Sequence, residues 1–388
     1  MKQRYALFLS MLFTLPCLAQ DTNWVKHTIC SDKQGSITTA VAADYTGDGL
    51  IDVITSYAGR VSLFTAPDWR ETQLHEVIGS KRQCIHSETF DIDGDGDIDW
   101  VGGLAKNNPF WLENPGKASA KWTARVIDHD LAAMHCFLKA DVDRDGRLDL
   151  IVNHFQPEGV LANSIVWLRI PDQPKTAKQW DRHVFAKGDA AGGSHYFGFG
   201  DLDGDGWGEI TVAAKGAPFE NGNWFAYWQN PGKDKVTEPW QRVTVAGNEL
   251  GATNILPGDL NGDGQSDLLA SNGHGLGVFW FEGPKWQKHM IDPEMASPHS
   301  LALADLDGDG DLDAASCGFK SKRLSIYLNN GKGQFTRQDL DTDQESYDLR
   351  AVDMDGDGDL DLLNAGRASR NVVWYENKRL NGAAQKQE

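Results

Sequence analysis

No stretch of this chain has a sustained helical period, which sets helical bundles and alternating helix–strand folds aside. Apart from Ala6 to Leu15, no apolar segment approaches membrane-spanning length, so no membrane span is expected. Basic runs interleaved with aromatics are missing, and nothing points to nucleic acid as a partner. Cysteine is scarce, with five in 388 residues. Four of them, Cys30, Cys84, Cys136 and Cys317, follow the N-terminal segment, and spacing leaves their pairing open. A Cys30–Cys84 bridge is one candidate, but a large core and many metal loops make disulfides unnecessary.

Carboxylate is abundant: 56 Asp and Glu stand against 37 Lys and Arg, for a formal charge of −19. That acid is concentrated. A nine-residue loop close to Asp-x-Asp-Gly-Asp-Gly-x-x-Asp recurs seven times, and these loops hold 29 of the 56 carboxylates. The remaining surface is mildly basic, so the acidic total says little about partners.

Carboxylates at positions 1, 3 and 5 converge when Gly at position 6 permits a tight turn. A carbonyl at position 7 and the acid at position 9 can complete an oxygen shell, which suits Ca²⁺ rather than Zn²⁺ or copper. Three loops keep every carboxylate: Asp91, Asp93, Asp95, Asp97 and Asp99; Asp305, Asp307, Asp309, Asp311 and Asp313; and Asp353, Asp355, Asp357, Asp359 and Asp361. The third loop offers Asp141, Asp143, Asp145 and Asp149. Others vary: Asp44, Asp48 and Asp52 surround Thr46; Asp201, Asp203 and Asp205 precede Glu209; Asp259, Asp263 and Asp267 flank Asn261. No Glu follows at position 12 and no helical pattern flanks the loops, so an EF-hand is excluded. Several structural Ca²⁺ ions are expected.

The period fixes the architecture. Each unit runs from a short apolar segment through the loop into a β-prone run such as Leu148–Val152. An aromatic strand ending in a turn follows, as in Phe110-Trp111-Leu112-Glu113-Asn114-Pro115-Gly116, and then a Trp-led strand such as Trp122–Ile127, Trp180–Phe185, Trp240–Val245 or Trp286–Ile291. Four such strands make one propeller blade. The seventh unit lacks its Trp-led strand, and Trp24–Ile29 supplies one. The expectation is an all-β fold, a seven-bladed β-propeller over residues 20–378 closed by its N-terminal strand, with a disordered tail at 379–388. Residues 1–19 read as a secretory signal, with Lys2 and Arg4, an apolar core and Cys17-Leu18-Ala19 before the cleavage point, so a secreted or periplasmic protein is expected.

These loops, set between short strands, resemble the FG-GAP and VCBS repeats of β-propellers, which integrin α-subunit heads and some fungal lectins use. The Trp-Tyr-Glu-Asn and Trp-x-x-His-x-Ile strands look more like the propeller of aldos-2-ulose dehydratase and the seven-bladed uronate-specific polysaccharide lyases. The resemblance implies the fold; for function it allows both binding and catalysis.

If the acidic loops join first and second strands at one face, the starts of the inner strands gather at the opposite mouth. They carry Thr39, His86, His135, His195, Asn254, His299 and Tyr347-Asp348, with Tyr196 and Arg350 beside them. Turns between second and third strands add Arg60, Lys106, His154, Lys215, His274, Lys320 and Arg367. The histidines of the outer strands, His27, His75, His183 and His289, repeat with the Trp and read as structural.

Imidazoles ringed by Lys and Arg fit β-elimination from a uronate. His135 or His195 would be the base, Tyr196 the acid and Arg350 or Lys215 the carboxylate clamp, with His86 and His299 completing the catalytic set. Lys106, His154, Lys215, His274 and Arg367 would bind substrate. A second reading places Zn²⁺ on two or three of His86, His135, His195 and His299, as in a keto-sugar dehydratase. A third is a glycan-binding or adhesion propeller. Paired carboxylates for glycoside hydrolysis are missing from this mouth. The partner expected in every case is a carbohydrate or glycan.

Overall fold

The computed structural model describes residues 23–104, 108–116, 121–155 and 158–379. The signal segment, Lys106 and the tail beyond residue 379 lie outside the described residues. The regular elements are 28 strands in seven four-stranded antiparallel sheets. Six sheets are consecutive in sequence, from the one beginning Ala40–Ala43 to the one ending Phe335–Asp341. In the seventh, Asp348–Val352, Asp361–Gly366 and Asn371–Asn377 are joined by Trp24–Cys30. Trp24 pairs with Asn377 and Thr28 with Val373, so the N-terminal strand closes the ring. Closure covers the edge of Asn371–Asn377, which would otherwise stand open.

The second strand of every blade is buried along its whole length: Asp52–Tyr57, Asp99–Gly102, Asp149–Asn153, Glu209–Ala214, Asp267–Ser271, Asp313–Gly318 and Asp361–Gly366. Both sheet faces meet a neighbouring blade, so these strands read as near-continuous apolar runs instead of alternating ones. Trp100, Trp111, Trp167 and Trp228 are fully buried and fill the wedges between blades. In blades two to five the Trp expected to lead the outer strand stands one residue before it, whereas Trp24 is the first residue of its strand. Strands begin at Thr123, Asp181, Gln241 and Gln287, and Trp122, Trp180 and Trp240 are buried in the preceding turn. Trp240 illustrates the reason: its Nε1 donates to Val236 O at 2.9 Å, which fixes the turn before pairing begins.

The acid at loop position 9 turns out to be a staple. Asp313 accepts from the N–H of Leu306 through Oδ2 at 2.9 Å and from the N–H of Asn329 through Oδ1 at 2.7 Å. Asn329 Nδ2 then donates to Leu260 O in the previous blade at 2.8 Å. Asp99 with Asn114, Glu209 with Asn230 and Asp361 with Asn377 repeat this arrangement. Each acid ties its own loop to its third strand, and each Asn ties the blade to its neighbour. The four cysteines are free and buried, so the Cys30–Cys84 bridge does not form.

Candidate functional site

Antiparallel pairing places the acidic loops at one end of the inner strands and the histidines at the other. In blade three, Ala140 pairs with Asp149 at the loop end and Phe137 with Val152 at the far end, just after His135 and Cys136. The inner-strand starts do converge, but inside the channel and not on its rim. His135, His195 and His299 are 4%, 1% and 1% exposed. Ring centroids of His135 and His195 lie 4.0 Å apart, and each lies 6.0 Å from that of His299. One nitrogen from each of the three fits within a 4.8 Å group.

The hydrogen bonds fix which nitrogens carry protons. Gly193 O can only accept, so His195 Nδ1, 2.9 Å away, carries its proton and Nε2 is bare. Likewise His299 Nδ1 donates to Tyr347 O at 3.2 Å, leaving Nε2 bare. That Nε2 and His135 Nδ1 are buried with no hydrogen-bond partner. Unpaired buried nitrogens are costly and call for a ligand. Imidazoles whose second N–H is held by a backbone carbonyl are the usual arrangement around a metal ion. The residues therefore fit a nitrogen-preferring cation. Burial, then the neighbouring histidines, holds all three well below the ordinary imidazole range.

His274, expected only to bind substrate, joins this group. Its Nε2 lies 2.9 Å from the bare His195 Nε2 and so must be the donor. It is more exposed than the other three and faces the mouth. Burial, with Lys215, Arg367 and Lys320 nearby, lowers its pKa to about 4. Lys215 lies over Phe219 and Arg367 over Tyr347 and Phe319, so cations and aromatic faces alternate around the opening. Phe155 packs on both His135 and His195.

Other expected residues go elsewhere. His86 leaves the group: Nδ1 faces Phe137 O at 3.2 Å and Nε2 accepts from Arg350 Nη2 at 2.9 Å. Arg350 is not a free clamp, because Glu88, Asp348 and Ser87 O also engage it. This network lines a channel cavity of about 400 Å³ on the loop side of the histidines. Tyr196 is buried, with its hydroxyl 3.3 Å from His299 Nδ1. His154 is committed to Glu158 O through Nε2 at 2.9 Å. Among the outer histidines, His27 and His289 stack on their strand partners Trp374 and Trp280, His183 lies tilted against Trp167, and His75 tilts against Phe110 of the next blade.

At the opposite face, Asp91, Asp93 and Asp99 group their oxygens within 4.8 Å, as do the matching residues of the loops at Asp141, Asp201 and Asp305. Gly94 and Gly96 have φ of 74° and 96°, the left-handed turn the loop demands.

The FG-GAP-like repeat family matches residues 91–152, 201–270, 259–316 and 305–364, more than half of the chain. The protein belongs to the FG-GAP-like repeat family. No curated protein matches this FG-GAP propeller. Among solved structures it is similar to BBS1N in complex with ARL6DN, soaked with mercury, at TM-score 0.64 and 10% identity, covering 92% of this chain and 98% of that one. The same complex soaked with lead gives TM-score 0.62 and 11% identity over the same shares. At this identity the likeness concerns the fold alone.

Proposed function

We propose that this FG-GAP propeller is an exported, calcium-stabilised, metal-dependent carbon–oxygen lyase acting on a carboxylated or keto sugar. One observation carries the reading: His135, His195 and His299 bring one nitrogen each within 4.8 Å of one another, and His135 Nδ1 and His299 Nε2 are buried without a hydrogen-bond partner. Three imidazoles leave room for a further ligand, which suits a catalytic Zn²⁺. Bound Zn²⁺ supplies a Lewis acid for a carboxylate or carbonyl oxygen, which makes the neighbouring C–H acidic.

The chain's own groups supply the rest. Lys215 and Arg367 hold an anionic sugar at the mouth and favour negative charge developing there. His274, neutral near pH 7, stands between them and the histidine group and takes the α-proton; the C–H electron pair forms the new C=C bond as the β C–O bond breaks, and the imidazolium returns the proton to the leaving oxygen. Gly193 O and Tyr347 O keep His195 and His299 in the tautomers that face the centre. Phe155, Phe219 and Phe319 give the sugar apolar faces to lie against.

Calcium belongs to the opposite face. Burial, then Asp203 and Asp205, pushes Glu209 up to about 7, and a divalent cation relieves that crowding of like charge. Elemental analysis of purified protein, followed by a screen of uronate-containing polysaccharides and keto sugars for an unsaturated ultraviolet-absorbing product, tests the reading. Zinc near one per chain, with activity lost on chelation and restored by zinc, is expected. A protein without zinc that cleaves nothing yet binds glycans would favour the adhesion reading instead.

A further inference from the structure

The acidic loops differ in a way their sequences hide. In three of them the position-three aspartate faces a basic side chain from outside the loop. Lys175, in the connection following Ile165–Arg169 of blade three, reaches blade two's loop. Its Nζ lies 3.0 Å from Asp93 Oδ2, 2.9 Å from Asp95 Oδ2 and 3.3 Å from Glu113 Oε1. Asp93's side chain is only 2% exposed, and the ammonium reaches it from the rim of the oxygen group, the Lys175 side chain itself being 39% exposed. The reach is built: Arg125 holds the Lys175 carbonyl at 2.7 Å and the Glu113 carboxylate at 2.8 Å.

Six residues earlier, Arg169 closes blade three's own loop. Nε donates to Asp143 Oδ2 at 2.8 Å while the guanidinium lies over Trp167. Arg379 Nη1 lies 3.1 Å from Asp307 Oδ2 in blade six's loop. Blade four shows the contrast: there Asp203 Oδ2 takes the neutral Gln229 amide at 2.9 Å, and Oδ1 the N–H of Asp205 at 3.2 Å.

We propose that Lys175, Arg169 and Arg379 are built-in cations that stand in for a divalent ion at three of the seven loops. An ammonium or guanidinium neutralises part of the loop charge and binds the same oxygens that Ca²⁺ would coordinate. An oxygen held by the side chain is not open to the ion, so the two compete at Asp93 Oδ2, Asp143 Oδ2 and Asp307 Oδ2. Blades two, three and six thus keep their loops folded without calcium. This rests on the reading of the loops as cation sites.

Calcium bound to the full chain, counted by equilibrium dialysis at about 1 mM free ion, tests it. Wild type should bind fewer ions than it has loops. Lys175→Met and Arg169→Gln should each gain one ion per chain. In chelator each variant should melt below wild type, and calcium should restore it. Seven ions already on wild type, or unchanged counts and unchanged chelated melting in both variants, would overturn the proposal. Calcium absent from all three proteins would overturn the cation reading of the loops, and this inference with it.

Discussion

His195 and His274 share a single proton across the 2.9 Å between their Nε2 atoms, and His274 is the donor. The Gly193 carbonyl dictates this by claiming the proton on His195 Nδ1. A cation arriving at His195 Nε2 must displace His274, which then turns free toward the mouth.

His274 and His195 should therefore separate in mutagenesis. His195→Ala should lose the bound metal and the activity together. His274→Ala should retain zinc, melt near wild type, and lose activity by roughly a hundredfold or more. Metal content and turnover measured on the same preparations check this. Loss of zinc from His274→Ala would make it a ligand rather than a base.

The position-nine staple predicts an uneven cost within one loop. Asp99→Ala leaves the N–H groups of Ile92 and Asn114 without acceptors in a buried place. At about 1–3 kcal/mol for each orphaned group, the loss should be about 2–6 kcal/mol. Asp97→Ala, at an outward position of the same loop, should cost little in chelator. Denaturant unfolding of both variants decides; equal losses would mean that the staple contributes nothing of its own.

How much of this was readable beforehand follows from what a period encodes. Seven repeats and an orphan strand at Trp24 give blade number and closure, because both are matters of counting. Alignment of blades also gives direction around the ring, so His135, His195 and His299 are found. Depth along the channel is not encoded, and these three therefore sit inside it. Reach is hidden too: Arg350 extends from blade seven to Glu88 in blade two across the small side chains of blade one, and takes His86 with it. His274 enters from a turn whose length decides how far it dips inward. The staple at position nine was not legible, because an aspartate that also accepts two backbone N–H groups looks in sequence like any other acid of the loop.

Closure predicts that the N-terminal strand is indispensable. Removing residues 21–30 strips the pairing from Trp24↔Asn377 to Cys30↔Val372 and exposes the Asn371–Asn377 edge. The truncated chain should aggregate or melt far below wild type. Equal melting would show that the ring closes without it.

Acid sensitivity should trace in part to His86. Burial first, then Arg350, holds its pKa at about 4, against an ordinary 6.5. The unfolded chain therefore binds more protons than the folded one between those values, and this residue's effect is to lower stability as pH falls through that window. One proton corresponds to at most about 1.4 kcal/mol per pH unit. In His86→Gln the amide can still accept from Arg350 and donate to Phe137 O, but it cannot titrate. Its melting temperature should fall less steeply than wild type between pH 6.5 and 4.5, with the two curves converging toward neutral pH. Parallel curves across that range would show that His86 is charged in the folded protein, and that Asp348, 3.6 Å from its Nε2, outweighs both burial and Arg350.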